Sequence, residues 1–155
     1  MAFKHYFKAT LRWFHQQKPG SGAKLYPKSH RISIQGKTDL QLSAAKAFKG
    51  DPKLYNPEDL LLSSLVSCHM MSYLYVCSKN NIEVISYTDN AEAVLETGPD
   101  GSGRFVQVDL YPEVSISDPT KIVLALSLHH EANRLCFIAN SCNFPVRHHA
   151  VCSVC

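Results

Sequence analysis

Hydrophobic and polar positions change rhythm along the chain, and the changes mark out its elements. From His5 to Phe14 (HYFKATLRWF), Tyr6, Lys8, Thr10 and Arg12 alternate with Phe7, Ala9, Leu11 and Trp13, which predicts a strand. Gln16 to Ala23 reads as a loop from its Gly, Pro and Ser content. Ser29 to Gln35 alternates around Ile32 and Ile34, ends at a Gly36-Lys37 turn and is placed to pair with Thr38–Leu42. Ala44 to Tyr55 predicts an irregular connection with a short helical turn, broken by Gly50, Asp51 and Pro52.

The rhythm then switches to a long apolar stretch, YNPEDLLLSSLVSCHMMSYLYVCSKN, from Tyr55 to Asn80. Asn56 suits an N-cap and Pro57 the first helical position, where a missing N–H is no loss. Glu58 and Asp59 put negative charge at the positive end of the helix dipole. The body is apolar nearly all round, which predicts a helix roughly 36 Å long, buried inside a domain or a dimer. Downstream, Ile82 to Thr97 predicts two short strands or one bent one, and Gly98, Pro99, Asp100, Gly101 and Gly103 predict a hairpin turn. Phe105 to Ile116 alternates as a strand, with Pro112 marking a bulge or edge. Asp118-Pro119 repeats the cap signal and opens a second helix that runs to Cys136, and Val146–Val154 predicts a final strand or a flexible tail. Strands, long helix, strands, helix make a single α+β domain over residues 1–155, with antiparallel sheets wrapped around a buried helix that carries a cysteine.

Composition narrows the function. With 45% hydrophobic and 19% charged residues the chain is that of an ordinary globular protein. A net charge of +3, scattered, argues against nucleic acid. The N-terminal MAFKHYFKATLRWF carries basic residues within its apolar run and has no A-x-A site, so no signal peptide is expected. No apolar run approaches the ~18 residues of a membrane span, so no membrane partner is expected either. Six cysteines, at 68, 77, 136, 142, 152 and 155, without a secretion signal read as cytoplasmic thiols. Cys77 and Cys142 read as packing residues.

Asn56-Pro57-Glu58, then Leu60-Leu61, then Ser67-Cys68-His69 ten residues after the Glu resembles the central motif of the OsmC/Ohr family, which contains the thiol-dependent organic hydroperoxide reductases. The segment NRLCFIANS from Asn133 to Ser141 falls where that family places its second cysteine. The resemblance runs from about Tyr26 to Val146. It implies that Cys68 is a peroxidatic cysteine, whose thiolate attacks the peroxide and becomes a sulfenic acid, and that Cys136 is the resolving cysteine, which condenses with it to a disulfide. An external thiol, a dithiol of lipoyl type, then reduces the disulfide, and no bound cofactor or metal is required. Glu58 matches the carboxylate that works with an arginine to hold the reactive thiol. The family forms intertwined homodimers with sites at the interface. The expected function is therefore a peroxidase that reduces organic, lipid-like hydroperoxides. The alternative is a non-catalytic small-ligand binder or oxidant sensor on the same fold.

Geometry adds a constraint. On one straight helix Glu58 and Cys68 lie roughly 15 Å and 80° apart, so either the helix breaks near Leu60–Ser64 or Glu58 reaches the Cys68 of another copy. The chain departs from the family at the arginine. Ahead of the motif stand Lys46 and Lys49, which lack the bidentate fork, and Arg12 or Arg31 on predicted strands are the other candidates for the activating cation. His69 follows Cys68 but points away from it on a helix. His129 and His130 are adjacent and face different ways, a poor metal pair. The rival site is the tail, where His148 and His149 precede Cys152-x2-Cys155. That spacing suits zinc or a redox dithiol, although an incidental, disordered tail is the simpler reading.

Overall fold

The computed structural model describes residues 3–15 and 26–155, and the chain divides into two compact units at Leu60/Leu61, within the long helix. In the first unit, β1 (Thr10–Arg12), β2 (His30–Ser33) and β3 (Leu40–Leu42) form an antiparallel sheet in that order. The predicted first strand shrinks to three residues. Tyr6, Phe7 and Phe14 stay exposed, so the alternation there has no core to face, and pairing survives only opposite β2. The predicted loop Gln16 to Ala23 lies outside the described residues. Gly36, at φ +77, makes the turn into β3. The expected short helical turn is present at Lys46–Phe48 and closes on Lys49 in the left-handed conformation.

The long helix, α1, runs unbroken over Pro57–Lys79. Its start is a reciprocal cap: Asp59 N–H donates to Asn56 Oδ1 at 2.8 Å, and Asn56 N–H donates to Asp59 Oδ2 at 3.2 Å. Its end is as sharp. Asn81 sits at φ +54, and Ile82 N–H closes back on the Cys77 carbonyl at 2.9 Å.

In the second unit the rest of α1 packs with α2 (Ile122–Leu135) and two three-stranded sheets. Here β4 (Val84–Asp89), β7 (Pro112–Ile116) and β9 (Val151–Val154) form one sheet, and β5 (Glu92–Thr97), β6 (Gly103–Leu110) and β8 (Val146–His148) form the other. The segment predicted as one strand over Phe105–Ile116 is thus two strands in different sheets. The chain turns at Tyr111, whose N–H donates to Asp89 Oδ1 at 2.8 Å, and Pro112 opens β7. The tail is ordered, against the simpler expectation: β8 joins β6 and β9 joins β7, both in parallel. The sheets of this unit are therefore mixed. Asp118 caps the second helical segment as expected, accepting from Thr120 N–H at 2.9 Å, although its first turn is a tighter 3-10 turn at Pro119–Lys121.

Two apolar clusters hold this unit together. Tyr73, Val76 and Cys77 of α1 pack with Ala125, Leu128 and Ala132 of α2 and with Val114 and Ile116 of β7. Leu65 packs with Val108 and Leu110 of β6. Contrary to the sequence expectation, α1 is long and apolar enough to cross a membrane by length and composition. The interrupting serines and His69 are few and only mildly polar on average. Its contacts with α2, β6 and β7 are those of a core helix. Met71, Leu74 and Tyr75 nevertheless remain exposed on α1, so one chain covers only part of the helix.

Candidate functional site

Cys68 sits at the middle of α1 because the capped helix start fixes its phase, and it is half-buried. Cys136 is the residue immediately after α2, where the backbone turns extended, and it is 1% exposed. The fold brings these two thiols together, 68 positions apart in sequence. Burial first, and then a hydrogen bond to the Cys68 thiol, push the Cys136 thiol up to about 11, so it is a protonated thiol at neutral pH. The Ala139 N–H, 3.4 Å from Cys136 Sγ, works weakly the other way.

Above the pair lies a cavity of about 490 Å³ lined by Cys68, Met71, Ser72, Tyr75, Leu135 and Phe137. Its walls are almost wholly apolar. Cys68 opens into it, while Cys136 stays shielded. An oxidised sulfur at Cys68 would have a neutral thiol within reach and little water around it, a setting that favours condensation to a disulfide over further oxidation. A second cavity against α1, of about 500 Å³, is lined by Ser63, Ser67, Met70, Tyr87 and Asp89 among others, with no thiol.

The other expected residues sit on several elements. Glu58 lies in the first turn of α1, half-buried, with Oε2 shielded from water and lacking a hydrogen-bond partner among the described residues. The break near Leu60–Ser64, one of the two expected arrangements, is absent: α1 is continuous there. Lys46 begins the 3-10 turn and Lys49 closes it, while Arg12 and Arg31 stand directly opposite each other on β1 and β2. In the tail, His149 Nε2 meets Asp109 Oδ1 at 2.9 Å, Cys152 packs against the core and Cys155 is exposed. No group of three or more His, Cys, Asp or Glu side chains among the described residues is arranged to hold a metal ion.

One constellation escaped the sequence reading. His69 of α1 and His129 of α2 are buried, with Nε2 of the former 3.0 Å from Nδ1 of the latter, and His148 of β8 stacks beside both. The Tyr73 ring lies flat on His129 with centroids 3.9 Å apart. Burial lowers His69 to about 4 and His129 to about 3, and each imidazole's neighbours add to the effect. Both are neutral, so one donates to the other. Their outer nitrogens, His69 Nδ1 and His129 Nε2, have no partner among the described residues. The available signal was spacing: His129 stands in the Ala125–Leu128–Ala132 stripe of α2, and His69 one turn before Tyr73 on α1.

Comparison with known proteins places the fold. The structure of an OsmC-like protein of unknown function from Vibrio cholerae superposes with a TM-score of 0.85 at 27% identity, covering 96% of this chain and 100% of that one. An organic hydroperoxide resistance protein from Elizabethkingia anophelis matches over the whole of both chains with a TM-score of 0.71 at 18% identity. The organic hydroperoxide resistance protein OhrB of Bacillus subtilis matches with a TM-score of 0.64 at 19% identity, over 96% of this chain and 98% of that one. At those last two identities the likeness is one of fold. No functionally curated protein matches the sequence. The profile of the OsmC-like proteins matches residues 50–149, a stretch that takes in both helices and both thiols, and the chain belongs to that family.

Proposed function

We propose that this protein is a thiol-dependent peroxidase that reduces organic hydroperoxides. The observation that carries the reading is the pair itself: a half-buried Cys68 facing an apolar cavity, beside a buried, protonated Cys136. The Cys68 thiolate attacks the distal oxygen of ROOH, the O–O bond breaks, Cys68 becomes a sulfenic acid, and the departing alkoxide takes a proton from solvent to leave as ROH. The Cys136 sulfur then attacks the Cys68 sulfur, expelling water and forming a disulfide. A dithiol reductant of lipoyl type exchanges with that disulfide and restores both thiols. Met71, Tyr75, Leu135 and Phe137 suit an alkyl or aryl R group and offer hydrogen peroxide little. The chemistry proceeds in this scheme without a bound cofactor.

The reading includes a homodimer in the cytoplasm. Exposed Met71, Leu74 and Tyr75 on α1 and Phe137 beside Cys136 form apolar surface that a second copy would cover. The unbroken helix favours Glu58 serving the Cys68 of the other copy. The test is peroxide consumption with dihydrolipoamide as reductant, comparing cumene hydroperoxide with hydrogen peroxide. Fast turnover that prefers the organic peroxide and vanishes in Cys68→Ser is the expected result. Turnover unchanged in Cys68→Ser would leave a ligand-binding or sensing role for the cavity.

A further inference from the structure

We propose that the first unit carries an oxyanion-binding cleft for a small, flat organic acid, centred on Arg12 and Arg31. The register of the sheet sets these two residues directly opposite each other on β1 and β2. Like charges in that position repel, and the sheet offers incomplete relief. Arg31 Nη1 is 3.6 Å from Asp39 Oδ2. With the Gln41 amide turned so that its oxygen faces the guanidinium, Arg31 also donates through Nε at 3.0 Å and Nη2 at 3.3 Å. Among the described residues Arg12 has only a long hydrogen bond from Nη1 to Ser33 Oγ, 3.4 Å. Among those residues two guanidinium groups thus stand against one carboxylate, with most of the Arg12 fork unused.

The two arginines share the lining of a cleft of about 310 Å³ with Trp13, His30 and Gln41, a size at the small end of ligand sites. Its aromatic wall is held in place. Trp13 Nε1–H donates to the Pro27 carbonyl at 2.7 Å, its ring stacks on His15, and Tyr26 meets it edge-on. A fixed indole beside the open Arg12 fork, with the charge of Arg31 on the same cleft, fits a carboxylate or phosphate carried on a planar, apolar body: the Arg12 fork takes the oxygens in a pair, Arg31 adds its charge and the ring stacks. All of these residues precede the stretch matched by the family profile, and the proposal holds whatever Cys68 does.

Trp13 is the only tryptophan in the chain, so its fluorescence, excited at the red edge of its absorption, reads the cleft directly. Benzoate, phenyl phosphate and benzamide are titrated into the full-length protein. Expected is a saturable change with benzoate, phenyl phosphate or both, weakened by salt, and none with the neutral benzamide. The tighter of the two acids identifies the head group. Arg12→Gln and Arg31→Gln, each checked for native circular dichroism, are expected to weaken binding about tenfold or more, as loss of a charge-assisted hydrogen bond does. Arg12→Lys is expected to weaken it too, since charge without the fork is insufficient. Calorimetry on the same variants guards against a change in the reporter alone. Absence of saturation, an equal response to benzamide, or affinity indifferent to both Gln substitutions would overturn the proposal.

Discussion

Cys68 and Cys136 differ in access, one of the properties that set thiol reactivity. Cys136 is sealed and held protonated up to about pH 11, whereas Cys68 reaches the cavity. Brief alkylation at neutral pH, read by peptide mass mapping, is therefore expected to label Cys68 at least about tenfold faster than Cys136. One equivalent of peroxide is expected to join these two, and a Cys152–Cys155 product instead would move the chemistry to the tail. The buried imidazoles give a second expectation. His69 and His129 are depressed from an ordinary 6.5 to about 4 and about 3, so at neutral pH they are uncharged in both folded and unfolded chains and add no linkage. As pH falls below 6.5 the unfolded chain takes up protons that the folded one refuses, and stability is lost down to about pH 3. The urea midpoint should fall across this window. His129→Gln should remove about one proton, or ~1.4 kcal/mol per pH unit, from the slope where it is steepest.

Among the elements, α1 was the most legible because each of its signals is local. Asn56-Pro57 marked its start, which agrees with the structure, and the helix ends at Lys79 with Asn81 in the left-handed region just beyond. Because the cap is reciprocal, Asn56→Ala should cost about 1 kcal/mol in chemical denaturation. Asn56→Asp should cost much less, since a carboxylate accepts the same Asp59 N–H, offset in part by its repulsion from the Asp59 side chain. Signals that depend on a distant partner were harder to read. The aromatic alternation around Phe7 looks like a strand, but β1 keeps only the residues that find β2. Pro112 suggested a bulge within one strand, yet Asp89, captured by the Tyr111 N–H, sends the chain into another sheet. The thiol pair was reached through family resemblance, because no spacing rule links positions on two helices. The histidine cluster draws on three elements, and its only local trace was the place of His69 and His129 within the buried stripes of their helices. The Arg12–Arg31 opposition became visible only once the register was known.

For the whole molecule, the unsolved surface is apolar. Phe137 is 81% exposed and Met71 57%, while the α1 residues around them are too hydrophobic to leave in water. Sedimentation equilibrium is expected to give twice the mass of the chain. Met71→Glu, which would bury an unpaired charge in such an interface, should shift it toward the single chain; a wild-type monomer at all concentrations would remove the dimer from the proposed mechanism. The way the second unit closes has a different consequence. β8 and β9 complete the two sheets from residues 146–154, each running parallel to a strand laid down about 40 residues earlier. On the ribosome, β6 and β7 must therefore wait with open edges until residues 146–154 emerge. Cys68 and Cys136 are by then already made, so both thiols exist in the nascent chain before either sheet of this unit has all its strands.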